Sequence, residues 1–115
     1  MAFSELEQKR HEKVIEAYLD TCRPPVEIRK EVDIWYRIKG QSIEVFEIRP
    51  KWNDPSEMQE SPVAKATYLK SRDEWKVYWM KSDLKWHIYE PTPSVKDLKT
   101  FTEVLELDQF GCFWG

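Results

Sequence analysis

Carboxylates, histidines, thiols and basic groups are the side chains here that could carry a reaction. Asp33, followed on the next segment by Glu47-Ile48-Arg49, has by residue type the outline of a metal-dependent nuclease core. There, two carboxylates hold Mg²⁺ and a lysine helps to activate water. The basic residue is arginine, which keeps its proton at neutral pH and cannot act as the base. The strand register expected below also puts Asp33 opposite Ile48, so Asp33 and Glu47 point to opposite faces. The alternative is a set of edge charges with an Arg37–Glu44 cross-strand pair. His11 and His87 are the only histidines, and no local spacing joins either to Cys112 or to a carboxylate as a metal site. No Gly-x-Ser-x-Gly turn presents a serine. Glycines at 40, 111 and 115 alone cannot build a phosphate-cradling loop. No catalytic residue, metal or cofactor is expected.

Binding is better served. Lys65, Lys76, Tyr78, Lys85, His87 and Tyr89 alternate along strand-like segments and are expected on one sheet face. Rings for stacking and lysines for phosphates suit a single-stranded nucleic acid, and the same surface suits a protein or peptide. The plainer reading is a solvated face whose lysines discourage edge pairing. Arg49 and Trp52, beside a long polar segment, form a second candidate that could clamp an anion or a ring. The plainer reading, and the one expected, is that Trp52 plugs the end of the sheet under that segment.

The elements that must position these residues follow from periodicity. Ser4 and Glu7 form a capping box before an apolar stripe of Val14, Ile15, Tyr18, Leu19 and Cys22, which predicts a helix over 4–22 ended by Pro24 and Pro25. Strands are expected over 32–39 and 42–50, joined by a two-residue Gly40-Gln41 turn. That register sets Ile38 opposite Ile43, Tyr36 opposite Val45 and Trp35 opposite Phe46. Residues 51–62, with two prolines and several short polar side chains, read as a long loop. Three further strands fit 63–70, 75–81 and 85–90. A tight Ser82-Asp83 turn would pair Trp79 with Trp86, and a four-residue turn would pair Ala66 with Trp79. Ser94 is expected to cap a last helix bearing Val95, Leu98, Phe101 and Leu105. The tail holds Phe110, Phe113 and Trp114 between Gly111 and Gly115, too aromatic to be left in water. It is expected to fold back beside the last helix, or else to meet a second copy through Phe113 and Trp114.

A chain of 115 residues, 41% hydrophobic and 34% charged, suits one globular domain over 1–115. Six Trp, five Tyr and five Phe supply a core that needs no staples. No run approaches the roughly 18 apolar residues of a membrane span, and the first residues lack the basic start and apolar stretch of a signal peptide. Cys22 and Cys112 are read as reduced thiols of a cytoplasmic protein, with a disulfide between the ends as the alternative. Net charge of −3 argues against a general nucleic-acid binder.

Several phrases carry a family resemblance. Arg49-Pro50-Lys51-Trp52, Pro62-Val63-Ala64-Lys65, Trp75-Lys76-Val77-Tyr78-Trp79, Leu84-Lys85-Trp86-His87-Ile88-Tyr89 and the ending Gly111-Cys112-Phe113-Trp114-Gly115 resemble domain-of-unknown-function family 3024, a group of small bacterial proteins. The resemblance implies a bacterial cytoplasmic protein and no activity, substrate or catalytic residue. The expectation is therefore an α+β chain, with a five-stranded antiparallel sheet packed by an N-terminal and a C-terminal helix. It would serve as a non-enzymatic binding module for an unknown protein or peptide. A single-stranded nucleic-acid module and a metal-dependent hydrolase are the rivals.

Overall fold

The computed structural model describes residues 3–114. Helix α1 runs Glu5–Cys22, strands β1 Asp33–Lys39, β2 Ser42–Lys51, β3 Asp54–Leu69, β4 Glu74–Met80, β5 Trp86–Ile88 and β6 Ser94–Val95, and helix α2 Leu98–Leu107. The sheet is antiparallel in the order β1-β2-β3-β4-β5, with β6 also pairing β4. This is the α+β architecture expected from the sequence.

The start of α1 is the predicted capping box: Ser4 Oγ accepts the Glu7 N–H and the Glu7 carboxylate accepts the Ser4 N–H. Gly40, at φ 60°, opens the two-residue turn, and the β1–β2 register is the expected one from Asp33↔Ile48 to Lys39↔Ser42. Register carries the core across the sheet, because paired residues share a face. Ile43, Ala66 and Val77 lie in one row and Val45, Ala64 and Trp79 in the next. Ile15 and Leu19 of α1, with Leu98, Phe101 and Leu105 of α2, close over these rows in one cluster. Both helices thus cover the same face. Alanines in β3 leave room for the larger side chains above them.

Four expectations are corrected. Residues 51–62 are not a loop: β2 runs on to Lys51 and β3 starts at Asp54, so the segment is a β-ribbon with a Trp52-Asn53 turn. Its composition misleads because both of its faces meet water, which removes the apolar alternation of a half-buried strand. Pro55 and Pro62 sit where β4 does not reach, so β3 needs no donor for that strand there. The β4–β5 turn has three residues, Ser82-Asp83-Leu84, with Leu84 at φ 61°. Trp79 therefore faces His87 and Met80 faces Trp86, one step from the expected pairing, and Trp86 falls on the helix-free face. The β3–β4 turn keeps four residues but begins one earlier, so Ala64 and not Ala66 pairs Trp79, with faces unchanged. Ser94 joins β6 opposite Lys76, and Asp97 caps α2 by accepting the Thr100 N–H.

The tail folds back as expected. Asp108 ends α2 in the left-handed region at φ 39°, and its carboxylate accepts the N–H groups of Phe113 and Trp114. Gly111, at φ 67°, makes the turn between them. Phe113 packs on Tyr89 with ring centroids 4.7 Å apart, and Trp114 Nε1 donates to the Leu105 carbonyl. Phe110 stays exposed, and Gly115 lies outside the described residues.

Candidate functional site

The helix-free face of the sheet is built by the odd-numbered residues of β1 and the even-numbered residues of β2, β4 and β5. A bulge at Val63 lets β3 contribute Met58, Glu60 and Pro62 on one side of it and Lys65 and Thr67 on the other. Rings and cations alternate on this surface. The Lys65 ammonium sits between two rings, 4.8 Å from the centroid of Tyr78 and 5.0 Å from that of Trp86. Burial there pushes the Lys65 pKa down. The Arg37 guanidinium lies 4.4 Å over Phe46 and pairs with Glu60. Phe46 is only 6% exposed, although no helix covers its face. Arg23 lies 4.6 Å over Trp35 and holds both oxygens of Asp33, at 2.8 and 2.7 Å. That bond holds the Asp33 carboxyl below its ordinary range. Cations roof these rings, which satisfies the ring faces and leaves positive charge at the surface.

The same face continues into an arm. β1 accompanies β2 only to Ile48, and β4 accompanies β3 only from Ala64. Beyond these points β2 and β3 pair alone, through Arg49↔Gln59 and Pro50↔Met58. A register shift then widens the tip, which is fastened by the Lys51–Glu57 pair at 2.9 Å and by Asp54 accepting from the N–H and hydroxyl of Ser56. Trp52 stands at this tip, 92% exposed. The arm contributes to an elongated molecule of 44 × 30 × 25 Å.

The expected site residues separate into four places. Lys65, Lys76 and Tyr78 share the open face as expected. Tyr89 is 2% exposed, under the tail on the helix-covered side, where its backbone bonds Val77. His87 faces that side too, opposite Trp79, and bonds Asp83 at 2.8 Å. Lys85 lies exposed across from Lys81 at the hairpin end. The expectation that these residues share a face with Tyr78 fails on the three-residue turn. Arg49 is on the arm, bonded to Glu47, and Trp52 is its tip, not a plug for the sheet end. Trp86 and Arg37 join the face unforeseen. The Trp35–Phe46 pairing and the place of Arg37 diagonally beside Phe46 were legible in the hairpin register, whereas Arg23 reaches Trp35 from the end of α1.

Chemistry elsewhere is sparse. Asp33 and Glu47 lie on opposite faces, each engaged by an arginine. Among the described residues no group of three or more His, Cys, Asp or Glu is placed to hold a metal. Cys22 and Cys112 are unbridged and half-buried, and burial pushes the Cys22 thiol up, away from nucleophilic use. A cleft of about 450 Å³ lies between the start of α1 and the start of α2, floored by His11 and Trp75. His11 packs edge-on against Trp75 and Phe3, and burial pushes its pKa down. Among the described residues no helix is long and apolar enough to cross a membrane.

No curated protein and no solved structure matches the chain. A family model does match, over residues 3–115, and by that match the chain belongs to the family described as Domain of unknown function (DUF3024).

Proposed function

We propose that residues 1–115 act as one non-enzymatic, protein-binding domain that engages its partner through the Trp52 arm and the open face behind it. The observation that carries this reading is a tryptophan 92% exposed at the end of a fastened β-ribbon. Burying a large apolar side chain contributes about 1.5–3 kcal/mol, and nothing among the described residues collects that contribution at Trp52. Tryptophan is also enriched among the residues that dominate interfaces. The ribbon fixes the backbone at Trp52, so little backbone ordering opposes its burial. Arg49, Lys51, Asp54 and Glu57 along the arm supply both signs of charge, as a polar rim does. The fitting partner is a protein with an apolar pocket bordered by mixed charges. Half-buried, unbridged thiols suit a reducing compartment, which supports the bacterial cytoplasmic setting implied by the family resemblance.

Lys65 between Tyr78 and Trp86 favours a second reading, single-stranded nucleic acid on the open face. A photoreactive amino acid placed at position 52, and at Lys9 on α1 as a control, separates the two in cells. A discrete adduct at 52, digested by protease and resistant to nuclease, supports the protein reading. A nuclease-sensitive adduct replaces it with the nucleic-acid reading, and equal yields at 52 and 9 refute both.

A further inference from the structure

β1 is the terminal strand of the sheet, and seven consecutive pairs with β2 run without a bulge. A two-residue turn closes on a doubly hydrogen-bonded pair, here Lys39↔Ser42, and such pairs alternate along an antiparallel ladder. Asp33, Trp35 and Arg37 therefore bond inward to β2, while Ile34, Tyr36 and Ile38 turn their backbone groups outward. No backbone partner outside the ladder takes those groups among the described residues; only the Ile34 N–H is held, by the Asp33 carboxylate at 2.8 Å. Other edges are defended. β4 is covered by β5 and β6, β5 is three residues long, and the open stretch of β3 carries Pro55, Pro62, Glu57 and Glu60. β1 has no proline and no bulge, and its apolar side chains Ile34, Trp35, Tyr36 and Ile38 remain only partly buried.

The sequence of this edge is complementary to itself. Asp33-Ile-Trp-Tyr-Arg-Ile-Lys39, laid antiparallel on a second copy about a two-fold axis at Tyr36, sets Asp33 against the partner's Lys39. Ile34 then meets the partner's Ile38, and Trp35 meets the partner's Arg37. Opposite charges, aliphatic pairs and a cation on a ring all fall in register, and none of the seven pairs sets like charges together. Backbone alternation assigns Trp35 and Arg37 to the open face and Ile34, Tyr36 and Ile38 to the helix side, so matched positions share a face, and pairing requires the Trp35 and Tyr36 rings, 5.2 Å apart at this edge, to turn aside. We propose that the β1 edge joins a second copy of this chain in antiparallel pairing centred on Tyr36, giving one continuous sheet across a two-fold dimer. About four interchain backbone hydrogen bonds form without displacing any intrachain one, from Tyr36 and Ile38. The Tyr36 hydroxyl donates to the Glu16 carboxylate within its own chain. The interchain contact is separate from the Trp52 arm and from the tail, so its failure would leave the proposed function standing.

Sedimentation equilibrium of the full chain, with Ile38→Pro as comparison, tests the pairing. Ile38→Pro removes one outward N–H and no bond to β2. The expected result is a dimer for the wild type and a folded monomer for Ile38→Pro, judged by circular dichroism. A wild-type monomer at millimolar concentration overturns the proposal, as does a folded Ile38→Pro dimer. Tyr36→Cys in a Cys22→Ser, Cys112→Ser background keeps the test open if the proline variant fails to fold. Mild oxidation is expected to crosslink Tyr36→Cys chains and not Ile34→Cys chains, because only the residue on the axis meets itself. The reverse pattern, or no crosslink from either, overturns the register and the proposal with it.

Discussion

Asp108 fastens the tail with one side chain, and replacing it measures that fastening. Its carboxylate accepts the Phe113 N–H at 3.1 Å and the Trp114 N–H at 2.9 Å, and its backbone sits at φ 39°. A hydrogen bond to a charged group contributes about 1.5–3 kcal/mol, and the lower end applies to this half-buried site, giving roughly 3 kcal/mol for the pair. A left-handed backbone costs an ordinary L-residue about 1–2 kcal/mol, a cost that aspartate partly relieves and glycine avoids. Asp108→Ala is therefore expected to destabilise the chain by roughly 3–4 kcal/mol, and Asp108→Gly by about 1 kcal/mol less. Asp108→Asn keeps one acceptor oxygen and is expected near half the alanine effect. Urea unfolding followed by tryptophan fluorescence reads all three, since Trp114 lies against α2 and reports undocking. Such losses are large beside a typical total stability of about 5–15 kcal/mol. An alanine variant within about 0.5 kcal/mol of wild type would show that the carboxylate does not anchor the tail. An order in which glycine is worse than alanine would refute the backbone part of the reasoning.

Leu84 is exposed and left-handed at φ 61°, so Leu84→Gly is expected to stabilise the chain by up to about 1 kcal/mol in the same melts; a clear loss would contradict the strain argument. Burial against Phe3 and Trp75 lowers the His11 pKa below its ordinary 6.5, with Arg10 adding to the shift and Glu7 opposing it. The unfolded chain then binds the proton more readily, so this contribution is full above 6.5 and is lost as pH falls below it. Melting temperature should fall between about pH 7 and pH 5, and His11→Gln should flatten that slope; an unchanged slope would assign it to other groups. Trp52→Ala should leave stability within about 0.5 kcal/mol of wild type, because the indole packs on almost nothing within the chain; a larger loss would return Trp52 to a structural role.

The parts legible in the sequence were those fixed by local chemistry. Ser4 with Glu7, the Gly40-Gln41 turn and the apolar alternation of β1 and β2 each specify their element without help from the rest of the chain. The tail was legible because three rings cannot remain together in water at low cost. The arm was not, because a ribbon wet on both faces has no alternation to display, and Pro55 and Pro62 read as breakers unless the free edge of β3 is known. The hairpin after β4 was misread because Leu84 adopts a conformation expected of glycine or asparagine, and no residue there signals it. One extra turn residue moved His87 and Tyr89 off the open face and brought Trp86 onto it. The cation over Trp35 depends on where Arg23 arrives in space after α1, which strand periodicity does not encode.

The binding role requires that residues 48–60 form a paired ribbon that holds Trp52 out in water. Nuclear Overhauser measurements on the labelled full chain test this. Antiparallel pairing predicts strong cross-strand Hα–Hα contacts at alternate pairs among Ile48–Glu60, Arg49–Gln59 and Pro50–Met58. It also predicts a Trp52 indole N–H that exchanges rapidly with water and shows no contact to the core. Loss of the cross-strand contacts would make the segment a loop, and an indole protected from exchange or touching the sheet would make Trp52 a structural plug. Either result would remove the observation on which the binding role rests.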